Sequence, residues 1–270
     1  MSHSVDLDHL SYSTINSYEQ CPRQMYLSKV KGAWSKGAWF FLIGTAVHEF
    51  VEATLKGLPY DIRENMYRLA EEQMRTDPDE PGWLAGTYQG KSAARENAIT
   101  LAQDCSKEAD RWLTEELAQV VAIEYEALEL LPGCEKPIKV FMDILGRHKD
   151  HGWCIVDWKT SASKPKNNFQ LETYRAVLLT QGMERYDKGL WAMLRPGASK
   201  ARVVDLSGVD PAIMGARYQE SYDRIKAGIF PTQAGWGCKY CTMKQNCQLE
   251  SGKNERTLFY DDVADKFLPF

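Results

Sequence analysis

The sequence has no apolar run approaching the roughly 20 residues that span a bilayer. Its first residues, MSHSVDLDHL, carry no basic stretch followed by an apolar core. Neither a membrane segment nor a secretory leader is expected, and the cytoplasm is the expected compartment. No internal repeat and no low-complexity segment is visible, which argues against solenoid and fibrous classes. An excess of basic charge is also missing. Lys and Arg total 33 against 37 Asp and Glu, a formal net charge of −4. That balance argues against a surface broadly coated for phosphate. A local basic groove is still compatible with it, and carboxylates gathered around metal ions would themselves lower the pI.

What is present, at 270 residues and 44% hydrophobic content, suffices for one large domain with an appended subdomain. Seven cysteines, an odd number, stand at 21, 105, 134, 154, 238, 241 and 247. In an intracellular chain they need not be disulfides. Three crowd together as Cys238-Lys239-Tyr240-Cys241 and Cys247, a spacing suited to metal ligation. They are one thiol short of the four that tetrahedral zinc or a [4Fe–4S] cluster takes. Cys105, Cys134 and Cys154 lack such spacing and read as buried small side chains.

Periodicity divides the chain. Residues 1–30 begin polar, with Ser13 as a candidate N-cap for a helix closed by Pro22. Residues 42–56 place Ile43, Val47, Phe50, Val51 and Leu55 on one helical face. Residues 61–76 and 91–118 are charged and amphipathic, a helical insertion. From about 118 the pattern changes to strands: AQVVAIEYEALELL, KPIKVFMDILGRH and WCIVDWKT form a meander with turns at Pro132-Gly133 and KDHGW. A helix over NNFQLETYRAVLLTQG follows, then a strand pair, a helix over 210–228, the cysteine-rich stretch and a tail. The order implies an α/β core.

The chemistry concentrates on the meander. Asp143 follows the apolar run of the second strand, and Asp157 and Lys159 end the third. Positions 157 and 159 share a face because strand side chains repeat with period two, which turns Trp158 into packing. Two carboxylates converging from adjacent strands suit a hard divalent cation, magnesium or manganese. A lysine beside them can orient water and stabilise charge developing on a phosphate. His48 is a candidate further ligand on a helix preceded by Gly44. Glu49 and Glu52 are weaker candidates, with a solvated helix face as their ordinary reading. Gln170 and Tyr174 share a helix face at i and i+4, placed to reach a phosphate or to hold the lysine and its water.

The pieces GTAVH, FMD, DWK and QLETY, in that order, resemble the RecB-like branch of the PD-(D/E)XK nucleases over residues 10–250. The resemblance implies a restriction-endonuclease-like α/β core, a mixed sheet flanked by helices. It implies His48, Asp143, Asp157 and the Trp158 carbonyl as metal ligands, and Lys159 as the group that positions the attacking water, supported by Gln170 and Tyr174. Glu124 or Glu126 is a further family feature, undecided between the two. Cluster-bearing relatives of the CRISPR-adaptation and AddB types place one cysteine before the histidine helix and three near the C-terminus. On that pattern Cys21 joins Cys238, Cys241 and Cys247 around a [4Fe–4S] cluster, with zinc as the alternative.

The implied segments are 1–41, contributing to the cluster; 42–117, the histidine helix and insertion; 118–230, the nuclease core; and 231–270, the cysteine-rich segment and tail. The implied function is a metal-dependent DNA exonuclease, with some endonuclease activity, acting on single-stranded or frayed ends. Its setting would be recombination, repair, phage DNA processing or spacer acquisition, with recombination or adaptation proteins as partners. The alternative is a non-catalytic DNA-binding or adaptor subunit. Tyr12, Tyr18, Tyr26, Trp34, Trp39, Trp236 and Tyr240 are candidate base-stacking surfaces, with core packing as the ordinary reading. Arg23, Lys29, Lys31 and Lys36 form a short basic run, read as a DNA groove or a solvated face.

Overall fold

Strand β3 (Ile138–His148) is the spine of a six-stranded mixed sheet. The structure, a computed structural model, describes residues 5–33, 38–74, 91–198, 201–235 and residues 238, 241, 243, 246 and 247. The expected tail, residues 75–90 of the insertion, and Trp34, Lys36, Trp236 and Tyr240 lie outside the described residues. Along one edge β3 pairs antiparallel with β2 (Leu117–Glu129), from Leu117↔His148 to Glu129↔Ile138. Its other edge has two partners. Near its start it pairs parallel with β1 (Leu10–Ser11), through Leu10↔Ile138. Near its end it pairs antiparallel with β4 (Gly152–Lys159), from Ile144↔Val156 to His148↔Gly152. The sheet continues through β5 (Lys188–Met193), parallel to β4, and β6 (Arg202–Asp205), antiparallel to β5.

Helices cover both faces of the sheet's centre, where most positions of β3, β4 and β5 are buried. One core gathers Ile15, Tyr18, Ile155, Leu171, Trp191 and Tyr218, under α1 (Tyr12–Gln20), α6 (Phe169–Thr180) and α7 (Pro211–Lys226). The other gathers Ile43, Val47, Ile99, Val156, Trp158 and Leu190, under α3 (Trp39–Leu55), α4 (Ile62–Met74) and α5 (Lys91–Glu115). The insertion's two helices are therefore structural cover for the second face. The chain between the short α2 (Pro22–Met25) and α3 includes a π-helical turn at Tyr26–Val30.

Two local features differ from the sequence reading. The cap of α1 is Ser11, whose hydroxyl accepts from the Thr14 N–H at 3.2 Å, in place of Ser13. Ser11 ends β1 with extended backbone, the geometry an N-cap requires, and this strand of two residues is too short to leave a periodic signal. The second is a reversal of the pleat. Val140 and Met142 face the α6 side, as do Tyr125 and Ala127 opposite; yet Ile144 and Ile123 face the α3 side. The neighbouring register pairs put Glu124 opposite Asp143, and at that rung Glu124 adopts φ 45°, the left-handed region that non-glycine residues rarely occupy.

Candidate active site

Past Val156, β4 leaves β3 and pairs only with β5, through Asp157↔Trp191, Trp158↔Ala192 and Lys159↔Met193. A fork opens between β3 and β4. Asp143 fills it, its Oδ2 accepting from the Trp158 backbone N–H at 2.7 Å in place of a ladder bond. Groups then reach the fork from both faces of the sheet.

From the α3 side comes His48, with Nδ1 3.3 Å from Asp143 Oδ1 and 3.8 Å from Glu124 Oε1. One ligand atom each of His48, Glu124 and Asp143 lie within 4.8 Å of one another, the one such set of three or more metal-ligating side chains among the described residues. Gly44, one turn before His48, faces the end of β4, where a Cβ would sit in ordinary contact with Thr160 Oγ1 at 3.7 Å. An imidazole and two carboxylates are a hard, mostly oxygen donor set, partly open to water. That set fits a divalent cation with further positions left for solvent or substrate.

From the α6 side comes the second half. Lys159 is ion-paired to Asp157, and its Nζ donates to Gln170 Oε1 at 3.0 Å. Gln170 Nε2 in turn donates to the Tyr174 hydroxyl at 2.6 Å. The i, i+4 pair on α6 thus fixes the amide between an ammonium and a phenol, and the chain of contacts aims Lys159 at the fork. Lys159 Nζ also lies 5.0 Å from the centre of the Trp191 ring, a floor that keeps the ammonium from swinging away.

The electrostatics follow from this crowding. Burial pushes the Asp157 carboxyl up, to about 6, and the neighbouring Asp143 charge adds to it; Lys159 and His48 work in the opposite direction. For His48, burial opposes the imidazolium. The carboxylates of Asp143, Glu124 and Asp157 outweigh it and raise the group to about 10. A positively charged His48 offsets part of the fork's carboxylate charge, a role a bound cation would take over. Tyr174 is held well above its ordinary value by burial and by the two aspartates. It stays a neutral hydroxyl.

The structure brings together His48, Asp143, Asp157, Lys159, Gln170 and Tyr174, and selects Glu124 where the sequence left Glu124 and Glu126 open. Glu126 turns outward and pairs with Lys139 at 2.7 Å. Glu49 and Glu52 do not enter the fork. Glu49 accepts from the Tyr60 hydroxyl and pairs with Arg68, tying α3 to α4, and Glu52 pairs with Lys56. Trp158 contributes its backbone N–H here, and its ring packs edge-on against Trp112 at 5.3 Å, in the core as expected. Tyr18, Tyr26 and Trp39 are buried core residues and Tyr12 packs on Phe169 at 5.4 Å, so the ordinary reading of those aromatics holds. Arg23 is likewise buried, at 5% exposure, which removes it from any exposed basic groove.

Cys21, Cys238, Cys241 and Cys247 line one pocket, between the start of α2 and the C-terminal segment, with Arg23, Leu27 and Met243. Burial raises the Cys241 thiol, and the other three cysteines add to the rise. No three of these four sulfurs come within 4.8 Å of one another. Cys105, Cys134 and Cys154 are buried elsewhere, as expected.

The fork of two strands carrying Asp143, Asp157 and Lys159 belongs to a known architecture. Residues 9–248 match the model of the PD-(D/E)XK nuclease superfamily, and the chain belongs to that superfamily. It is a nuclease of the metal-dependent kind, and the mixed α/β fold agrees with that membership. A phage relative is Gene 69 protein of Mycobacterium phage L5, 24% identical over 280 residues, covering 88% of this chain and 96% of the relative. Among solved structures, the crystal structure of SSO0001 overlaps with a TM-score of 0.45 at 16% identity, covering 92% of this chain and 90% of that one. Among the described residues, no helix is long and apolar enough to cross a membrane.

Proposed function

We propose that this nuclease is a DNA exonuclease acting on single-stranded or frayed ends, with chemistry carried by the β3–β4 fork. The observation that carries the reading is the convergence there of His48, Glu124 and Asp143 from one face with Asp157, Lys159, Gln170 and Tyr174 from the other.

His48, Glu124, Asp143 and Asp157, with the Trp158 carbonyl, are the residues that would hold magnesium or manganese. When bound, such a cation supplies Lewis-acid stabilisation of a phosphoryl oxygen. Lys159 is held between Asp157 and Gln170, and its one remaining N–H can orient the water that attacks phosphorus. The same ammonium offsets negative charge developing on the phosphate. Asp157 pairs with Lys159, and Gln170 with Tyr174 fixes its direction. The left-handed backbone of Glu124 supports the reading too, since strain of about 1–3 kcal/mol at one residue persists where a site requires it.

Incubation of 5′- and 3′-labelled single and double strands with purified protein, in magnesium, manganese or chelator, tests the proposal. Metal-dependent shortening from an end supports it. Tight strand binding with no cleavage in either metal overturns it in favour of an adaptor subunit.

We further propose that Cys21, Cys238, Cys241 and Cys247 hold a [4Fe–4S] cluster that staples the N-terminal helices to the C-terminal segment. Their common pocket and the electrostatic reach among the four thiols support this. A single zinc, which takes four such ligands, is the alternative. Anaerobic purification followed by iron, sulfide and zinc analysis tests it. About four irons per chain, lost in Cys238→Ser, is the expected result, and stoichiometric zinc in a colourless protein contradicts it. The expected setting is recombination, repair, phage DNA processing or spacer acquisition, alongside recombination or adaptation proteins.

A further inference from the structure

The sheet face that carries Asp143 continues, uncovered by helices, along the far ends of β2 and β3. Val140 and Met142 point into the core, so Lys139 and Phe141 point with Asp143 to the opposite side. Phe141 is 47% exposed, and Leu128, opposite Lys139 on β2, is 55% exposed. Lys139 Nζ lies 5.0 Å from the centre of the Phe141 ring and pairs with Glu126, which stands opposite Phe141. Isolated exposed hydrophobics are ordinary on any surface. The position is what distinguishes this one: Phe141 is two residues, about 7 Å of strand, from Asp143 and on the same face.

We propose that Phe141, flanked by Leu128, is the stacking platform for an unpaired base beside the phosphodiester held at the fork, and that it makes the enzyme prefer single-stranded ends. The inference rests on the nuclease reading and adds the residue that selects the substrate's form. Glu126 beside Phe141 is paired with Lys139, so this stretch of the face presents little net charge to a phosphate backbone. Affinity for the strand here draws on a contact that does not depend on charge. A flat ring supplies one, because every base has a π-face and stacking tolerates any sequence. A base within a duplex is already stacked on its neighbours and cannot turn onto the ring. The Lys139 ammonium lies over the ring, 5.0 Å from its centre, and is held there by Glu126.

The test compares strand binding by the full chain with Phe141 intact, as Phe141→Ala and as Phe141→Trp. All three carry Lys159→Ala, so that a fluorescent oligonucleotide survives in magnesium. Phe141 is exposed, so truncation leaves no core cavity, and circular dichroism checks the fold. Phe141→Ala should weaken single-strand binding roughly 5- to 150-fold. Duplex binding should change little, and Phe141→Trp should restore the single-strand value. With a strand whose bases are removed near its end, the intact and Ala proteins should bind alike. Unchanged single-strand binding in Phe141→Ala, or an equal loss for the base-free strand, overturns the platform. An otherwise wild-type protein that cuts no strand in magnesium or manganese overturns the nuclease reading itself, whatever Phe141 does.

Discussion

At the scale of single residues, position relative to the pleat decides function. Glu124 and Glu126 are two apart on one strand and carry the same side chain, but only Glu124 reaches His48. Glu124→Gln should raise the manganese concentration needed for half-maximal cleavage by at least the roughly 10- to 100-fold typical of metal-support residues. Glu126→Gln, whose parent carboxylate is bound to Lys139, should shift it far less; a titration of activity against manganese separates them. His148 is a different case. It is buried, stacked on His151 at 4.6 Å, and accepts the Asp150 backbone N–H at Nδ1, which requires that nitrogen to be unprotonated. Burial and the His151 charge lower its pKa, and Glu116, 3.5 Å from Nε2, opposes them only in part.

The sign of the His148 effect follows from proton linkage. Because the folded pKa lies below the unfolded one, the unfolded chain binds more protons in the window beneath the ordinary histidine value of about 6.5. Stability attributable to His148 is present above that value and is lost as pH falls through it. Thermal melts between pH 7.5 and 5 should show a drop that His148→Gln makes shallower. An identical slope in the variant would rule His148 out as the cause.

At the scale of elements, the β3–β4 fork and the faces of α3 and α6 make the site, and their docking is set by close backbone contacts. Gly215 lies in the interior of α7, where alanine is ordinarily better by about 1 kcal/mol. A Cβ there would fall 2.1 Å from the Pro132 carbonyl oxygen, so α7 would have to move off the turn after β2. The clash should win, with Gly215→Ala destabilising the protein by about 1–3 kcal/mol in urea unfolding.

The strands and long helices were legible in the sequence because apolar periodicity and turn residues mark them within a few positions. His48, Asp143, Asp157, Lys159, Gln170 and Tyr174 were legible because each sits at a regular place on a regular element. Glu124 was not, since parity alone gives it the same face as Glu126 and the deciding feature is one residue of left-handed backbone. β1 escaped because two residues cannot show a period. Phe141 escaped because its exposure depends on where the cover of α3 ends, a property of packing. Within FMD it reads as one more apolar residue of a buried strand.

At the scale of the whole molecule, the chain closes on itself. Cys21 near one end and Cys238, Cys241 and Cys247 near the other share a pocket, while α3, α4 and α5 cap the opposite face of the sheet. Thiol chemistry reads this arrangement directly. Cys105 and Cys154 are buried, with pKa values pushed up to about 12, so neither should react with a thiol reagent at pH 8 in the native protein. If the four thiols hold the proposed cluster, a chelator should raise labelling elsewhere in the chain, with mass spectrometry assigning the new adducts to Cys21, Cys238, Cys241 and Cys247. Adducts confined to Cys105 and Cys154 would contradict the assignment of the four-cysteine set.

The central claim is that the β3–β4 fork cuts DNA with Lys159 as its directing cation. Its most direct measurement is single-turnover cleavage of an end-labelled single strand by wild type and Lys159→Ala in manganese, with matched circular dichroism spectra. Lys159 lies at the site's edge and fills no core space, so the variant should fold and lose at least about 100-fold in rate. A folded Lys159→Ala protein that cuts at the wild-type rate would contradict the account.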